Sequence, residues 1–240
     1  MPLASLAKLL TIYAAAQVLS PSTPVPMTPT AVADVNDAAD IGFNVGETFQ
    51  FENLARLTLA ASSNDGAEAI TEAATAAKGE DTTSMLASAA ASIGLQQTFA
   101  INGTGLDQTS DLSGAYGSVH DIAILAGQFL RTLPNIAEAS TQASITETSE
   151  QGIAHTFANT DIDVLHIPNL LLSKTGYTDL AGGNLVVVYD AGINHPIAIV
   201  VLGSTEQGRF TDVQQLMAAT SAYFAGIAPK SAPSSASQTS

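Results

Sequence analysis

Three short stretches carry side chains whose types and spacing could do chemistry together. In PLASLAKLL, Ser5 and Lys8 are three residues apart at the start of an apolar helical pattern, so they share a helix face and their polar ends can meet. Near a helix N-terminus the free N–H groups and the helix dipole favour negative charge on the serine oxygen. A lysine neutralised by desolvation or a nearby cation could then accept the serine proton, giving an activated nucleophile. In LAASSNDGAEA, Ser62 and Asn64 fall in a turn between two helical stretches and could present a hydroxyl and a carboxamide to a cleft. In LLSKTGYTDLAGGN, Lys174 and Thr175 could hold a carboxylate, with Gly176 allowing a ligand close to the strand backbone. Taken singly, each stretch also suits an ordinary structural part: a capping serine with a solvated lysine, an N-cap, and an edge strand followed by a turn. Taken together they are less ordinary, because the chain has four lysines and two of them fall in these stretches.

The elements that must position these residues can be read from periodicity and punctuation. Residues 3–19 have helical spacing, whereas PSTPVPMTPT (21–30) reads as a connecting loop because its prolines lack N–H groups. Helices are expected over 51–61, 65–77, 83–93 and 119–133, the third ended by Gly94 and the last by Pro134. NGTGLD (102–107) is a turn cluster. After about residue 160 the texture changes. LVVVYDAG and PIAIVVLGS, joined by GINH, read as an antiparallel hairpin, followed by a helix over 210–224. The tail 228–240, rich in Ser, Pro and Ala, has nothing to bury and is expected to be disordered.

Composition narrows the function classes. A length of 240 residues at 46% hydrophobic suits a globular chain with a substantial core. A net charge of −15 without a basic patch excludes nucleic-acid binding. The absence of cysteine excludes disulfides, thiolate metal sites and cysteine nucleophiles. The four histidines, His120, His155, His166 and His195, have no metal-ligand spacing. No apolar run approaches the length of a membrane span.

Ser-x-x-Lys, Ser-x-Asn and Lys-Thr-Gly, in that order, form the signature of penicillin-binding proteins and serine β-lactamases. The longer strings PLASLAKLLTIY, LTLAASSNDGAEAI and SKTGYTDLAGGNLVVV resemble the low-molecular-weight penicillin-binding proteins, the D-alanyl-D-alanine carboxypeptidases, and NGTGLD and VVLGSTEQGRFTDVQQLM fit the same pattern. The likeness extends from residue 1 to about 226. It implies an α+β fold, β-lactamase/transpeptidase-like, in which an antiparallel sheet flanked by helices joins an all-helical subdomain. The catalytic domain would span 1–227, with the helical subdomain over about 20–160 and the sheet subdomain built from 1–19 and 161–227.

The resemblance also implies roles. Ser5 would be the acylated nucleophile and Lys8 its general base. Ser62 would bridge the two lysines and pass a proton to the leaving amine, and Asn64 would orient Lys8 and hold the substrate amide. Lys174 would keep the site cationic, and Thr175 would bind the terminal carboxylate. The backbone N–H groups of Ser5 and Tyr177 would form the oxyanion hole, and Gly176 would let the substrate approach the strand backbone. Arg209 would be a second carboxylate partner, or else a surface arginine near a helix start. The implied partners are peptidoglycan stem peptides, with β-lactams as inhibitors and no metal or organic cofactor. Acting on such a substrate implies an extracytoplasmic location, although no signal peptide is read here.

The family places strands before the catalytic serine, and none is legible before Ser5. PIAIVVLGS would then be an apolar sheet edge, which raises the expectation that Met1 is an internal methionine of a longer protein or that the sequence is a fragment. A catalytically impaired remnant, a β-lactamase or an endopeptidase of the same superfamily, and an acidic wall-associated scaffold are the competing expectations. The segment YTDLAG after Lys-Thr-Gly, and the lack of a glutamate-centred loop after Ser-Ser-Asn, count against a β-lactamase.

Overall fold

A computed structural model describes residues 1–33, 42–192 and 194–226. The expected tail at 228–240 and one residue of the GINH connection lie outside the described residues. The chain starts with a 3-10 turn, Ala4–Leu6, that runs into α1, Ala7–Ala15. Every residue of α1 is buried, Lys8 included, so this helix is the centre of the helical part and not a surface element. Around it pack α3 (Phe51–Ala61), α4 (Asn64–Lys78), α5 (Thr82–Ser92) and α6 (Val119–Thr132), each introduced below with what starts or stops it.

The predicted single helix over 3–19 is therefore shorter and enters through a tighter turn. Ala4 adopts a left-handed backbone (φ 48°), and this breaks the α-helix ahead of Ser5. The expected loop at 21–30 is also corrected. Pro24–Pro26 forms β1, paired antiparallel with β2 (Thr48–Gln50), and Pro29–Ala33 forms α2. Prolines are compatible with a two-stranded edge ladder in which Val25 is the buried residue.

The helices over 51–61, 65–77, 83–93, 119–133 and 210–224 appear within two residues of those limits. α3 ends where Ser62 turns left-handed (φ 60°), and α4 starts at once because Ser63 Oγ accepts the Gly66 N–H at 2.9 Å. Asp81 caps α5, Ser118 caps α6, and Pro134 opens the short α7, Pro134–Ala139. Two ladders are new relative to the sequence reading. β3 (Phe99–Ala100) pairs with β4 (Ala115–Tyr116), and β5 (Ser144–Thr148) pairs with β6 (Ala154–Ala158). A buried Glu47–His155 pair, 3.1 Å apart, fixes β6 beside β2.

The main sheet is an antiparallel meander, β7 (Leu170–Thr178), β8 (Gly182–Asp190) and β9 (Pro196–Ser204), in the order β7-β8-β9. Alternate residues point to opposite faces. Leu172, Val186 and Val188 join the helical core, while Leu185, Val187, Ile199 and Val201 pack under Phe210 and Val213 of α8, Gly208–Phe224. Both faces of β8 are thus covered, which explains its unbroken LVVVY run. Among the described residues β9 has no strand on its outer side, as the apolar edge expected from the sequence requires.

Candidate active site

The 3-10 turn, the α3–α4 corner and strand β7 converge on one cleft of about 430 Å³. Its walls include Ser5, Ser62, Asn64, Thr175, Gly176, Tyr177 and Arg209. The two lysines lie underneath, Lys8 at 0% and Lys174 at 1% exposure. Lys8 Nζ is 2.7 Å from Ser5 Oγ, and it donates to Asn64 Oδ1 at 2.7 Å and to the Thr104 carbonyl at 2.8 Å. Lys174 Nζ donates to Ser62 Oγ at 2.7 Å and to the Thr175 carbonyl at 2.8 Å. Each lysine therefore supports one of the two cleft serines.

Local backbone geometry explains how these contacts are held. Ala4, fully buried and left-handed, sets the turn that presents Ser5, and Ser62 is left-handed as well. Such conformations cost a non-glycine residue about 1 kcal/mol or more and persist only where surroundings impose them. Here Gly105 (φ 79°) packs directly on the Ala4 carbonyl, where a Cβ would come within 2.0 Å of the oxygen. The same loop delivers the Thr104 carbonyl to Lys8, and Thr11 Oγ1 donates to the Gly103 carbonyl at 2.7 Å. On the sheet side, a Cβ on Gly176 would lie 3.0 Å from the Leu3 carbonyl oxygen and 3.2 Å from the Ser5 and Leu6 amide nitrogens, tighter than ordinary contact, so glycine lets β7 run close to the turn without displacing it. Buried Asn184 on β8 completes the clamp. Its Nδ2 donates to the Pro2 and Leu3 carbonyls at 3.1 and 3.0 Å, and its Oδ1 accepts the Gly203 N–H at 2.8 Å.

The cleft is cationic on one side. Burial holds Lys174 well below the ordinary lysine range, with repulsion from Lys8 and Arg209 acting in the same direction and Asp161 opposing. Arg209, read from the sequence with a surface position as one alternative, is 7% exposed in the first turn of α8. Its Nη1 donates to the Gly176 carbonyl at 2.8 Å, while its buried Nε has no hydrogen-bond partner. Burial pulls its pKa down from the usual value, and it remains a cation beside the cleft. Tyr177 is about half exposed at the rim.

The structure adds groups that sequence reasoning missed. Leu106, Phe157, Asn159 and Thr160 complete the cleft wall, and Thr160 Oγ1 lies 2.6 Å from Thr175 Oγ1. From the sequence NGTGLD reads as a turn that fits the family pattern, with no part in the site, and nothing in the pattern marks residues 157–160 or Asn184.

A serine bound to a buried lysine, a second serine on a second lysine, and a glycine strand against the first serine's amide are the kind of arrangement that acyl transfer through a serine ester requires. The family model for D-alanyl-D-alanine carboxypeptidase matches residues 1–206. The chain belongs to that family. Solved structures agree in fold. Penicillin-binding protein D2 from Listeria monocytogenes, in an ampicillin-bound form, is 25% identical with a TM-score of 0.74, covering 91% of this chain and 86% of that one. The Streptomyces K15 DD-transpeptidase superposes with a TM-score of 0.78 at 18% identity, covering 90% of this chain and 86% of its own. The D-alanyl-D-alanine carboxypeptidase DacD from Francisella tularensis has a TM-score of 0.74 at 20% identity, covering 90% and 63%. A search of curated proteins finds no match. The D-Ala-D-Ala carboxypeptidase is thus a serine-type hydrolase with the transpeptidase fold, and its family acts on cell-wall peptidoglycan outside the cytoplasm. Among the described residues no helix is long and apolar enough to cross a membrane.

Proposed function

We propose that Ser5 is the nucleophile with which this carboxypeptidase removes the terminal D-alanine of peptidoglycan stem peptides, and that Lys8 is its base. The observation that carries this reading is the coordination of Lys8. A neutral amine has two N–H groups, which the Asn64 and Thr104 oxygens accept, and its lone pair then faces the Ser5 hydroxyl. As Ser5 Oγ bonds to the carbonyl carbon of the penultimate D-alanine, its proton passes to Lys8 Nζ. The carbonyl oxygen becomes an oxyanion, which the amides of Ser5 and Tyr177 would receive. Collapse breaks the C–N bond, and Ser62, hydrogen-bonded to Lys174, passes a proton to the departing amine. Ser62 is reprotonated at the expense of the Lys8 ammonium, which returns to the neutral amine. Water then attacks the Ser5 ester and gives its proton to Lys8; as the adduct collapses Lys8 returns that proton to Ser5 Oγ, and the shortened peptide leaves.

Thr175 and Arg209 would bind the free carboxylate of the leaving residue, for which the unpartnered Arg209 Nε is a ready donor. Asn64 would share its amide between Lys8 and the substrate backbone. A β-lactam would acylate Ser5 by the same route, its ring amine remaining tethered in the cleft and obstructing water. Release of D-alanine from a peptide ending in D-Ala-D-Ala tests the roles. Ser5→Ala should lower the rate by at least about a thousandfold. Undiminished release by that variant would overturn the assignment.

A further inference from the structure

Behind strand β7 lies a carboxylate that the reaction above does not use. Asp161 is 1% exposed, in the connection between β6 and β7. Its Oδ2 accepts the Ser173 hydroxyl at 2.5 Å, and its Oδ1 accepts the Asp163 N–H at 2.9 Å. Its own N–H is held by Asn159 Oδ1 at 2.9 Å. Ser173 immediately precedes Lys174, and its N–H donates to Ser140 Oγ at 2.9 Å, so this part of β7 is anchored on both sides. The flanking Thr160 meets Thr175 across the cleft wall at 2.6 Å. A buried carboxylate without a cation in direct contact is costly and needs a reason.

We propose that Asp161 is a positioning residue for the reaction: a buried counter-charge that anchors β7 through Ser173 and balances the cationic wall formed by Lys174 and Arg209. The inference rests on the roles proposed above for Ser5, Lys8 and Lys174. The charges that bear on it are Lys174 on β7, Arg209 on α8, Lys8 on α1 acting on Lys174, Asp163 in the same connection, and Glu206 and Tyr177 acting on Arg209. Burial pushes the Asp161 carboxyl above its ordinary value, with the Asp163 charge acting the same way; the hydrogen bonds from Ser173 and the Asp163 N–H and the Arg209 charge oppose this and favour the anion. Lys174 in turn is favoured as a cation by Asp161 and disfavoured by burial, Lys8 and Arg209. Without Asp161, Lys174 would lose the one attracting charge among its named influences, while Arg209 would keep Glu206.

Asp161→Asn separates the charge from the anchor. The amide oxygen can still accept from the Asp163 N–H, and the amide nitrogen can donate to Ser173 Oγ, since a hydroxyl pairs either way. The test is the rate of Ser5 acylation by benzylpenicillin against pH, for the intact chain, Asp161→Asn and Ser173→Ala. Loss of the charge should move the alkaline limb, set by deprotonation of Lys174, down by about one pH unit in Asp161→Asn. Ser173→Ala, which keeps the charge and loses the anchor, should lower the rate several-fold with the limb in place. An Asp161→Asn profile superimposable on that of the intact chain would overturn the proposal. If Asp161→Asn does not melt cooperatively, Asp161→Ser, which leaves room for water, is measured in the same way. Failure of both to fold would make the carboxylate a folding requirement and also overturn the proposal. An intact chain that is not acylated at Ser5 would be seen first, would count against the nucleophile assignment itself, and would take this inference with it.

Discussion

Lys174 shows how the cleft holds charge at the residue scale. It is buried with Lys8 and Arg209 near enough to repel it, and Asp161 alone among its named influences attracts. Its proton affinity in the folded chain lies below that in the unfolded chain. Between the two values the unfolded state binds more protons, so stability rises with pH across that window. Below the folded value both states carry the charge and the full cost of burying it persists; above the ordinary value of 10.5 both are neutral and the cost is gone. Lys174→Met, of similar length and uncharged, should therefore resist urea better at pH 7, by about 1–4 kcal/mol. That gain should shrink as pH approaches 10.5, and the variant should release D-alanine poorly. A loss of stability at pH 7, or a gain indifferent to pH, would contradict this balance.

At the scale of elements, the site depends on how tightly the 3-10 turn is pressed against the sheet. Asn184 ties the two together directly, joining the Pro2 and Leu3 carbonyls on one side to Gly203 on the other. Asn184→Ala would leave the buried Leu3 carbonyl and the Gly203 N–H without that partner, a loss of about 1–3 kcal/mol. We expect a lower melting temperature and a slower acylation by benzylpenicillin, because the Ser5 amide would no longer be fixed against Gly176. Unchanged melting and acylation would show that the clamp is dispensable. The helices of this scaffold were legible because their periodicity and caps agree, as at Ser63, Ser118 and Pro134. The hairpin β5–β6 was not. SITET and AHTFA each bury alternate residues, but few of these are large and apolar, so the period-two signal was too weak to register. The proline segment misled in the other direction: Val25 alone anchors a strand there, and one buried residue leaves no pattern.

Across the whole molecule, an acidic chain concentrates cations at one place. Of its seven lysines and arginines, Lys8, Lys174 and Arg209 gather at the cleft, against a net charge of −15. That contrast suits a substrate ending in a carboxylate, which the cations at the cleft would attract. The three motifs were legible because acyl transfer needs particular side chains at particular spacings. The supports were not, for reasons of chemistry. Thr104 contributes a backbone carbonyl, which no residue type advertises, and Asn184 and Asp161 act through contacts between segments far apart in the chain. The account stands or falls on whether this scaffold, with β9 unpaired on its outer side among the described residues, brings Ser5 and Lys8 into working register. The direct measurement is the intact mass of the chain after incubation with excess benzylpenicillin, alongside Ser5→Ala. We predict one covalent penicilloyl adduct on the chain and none on the variant. A cooperatively folded chain that gains no adduct, or an adduct that survives Ser5→Ala, would contradict it.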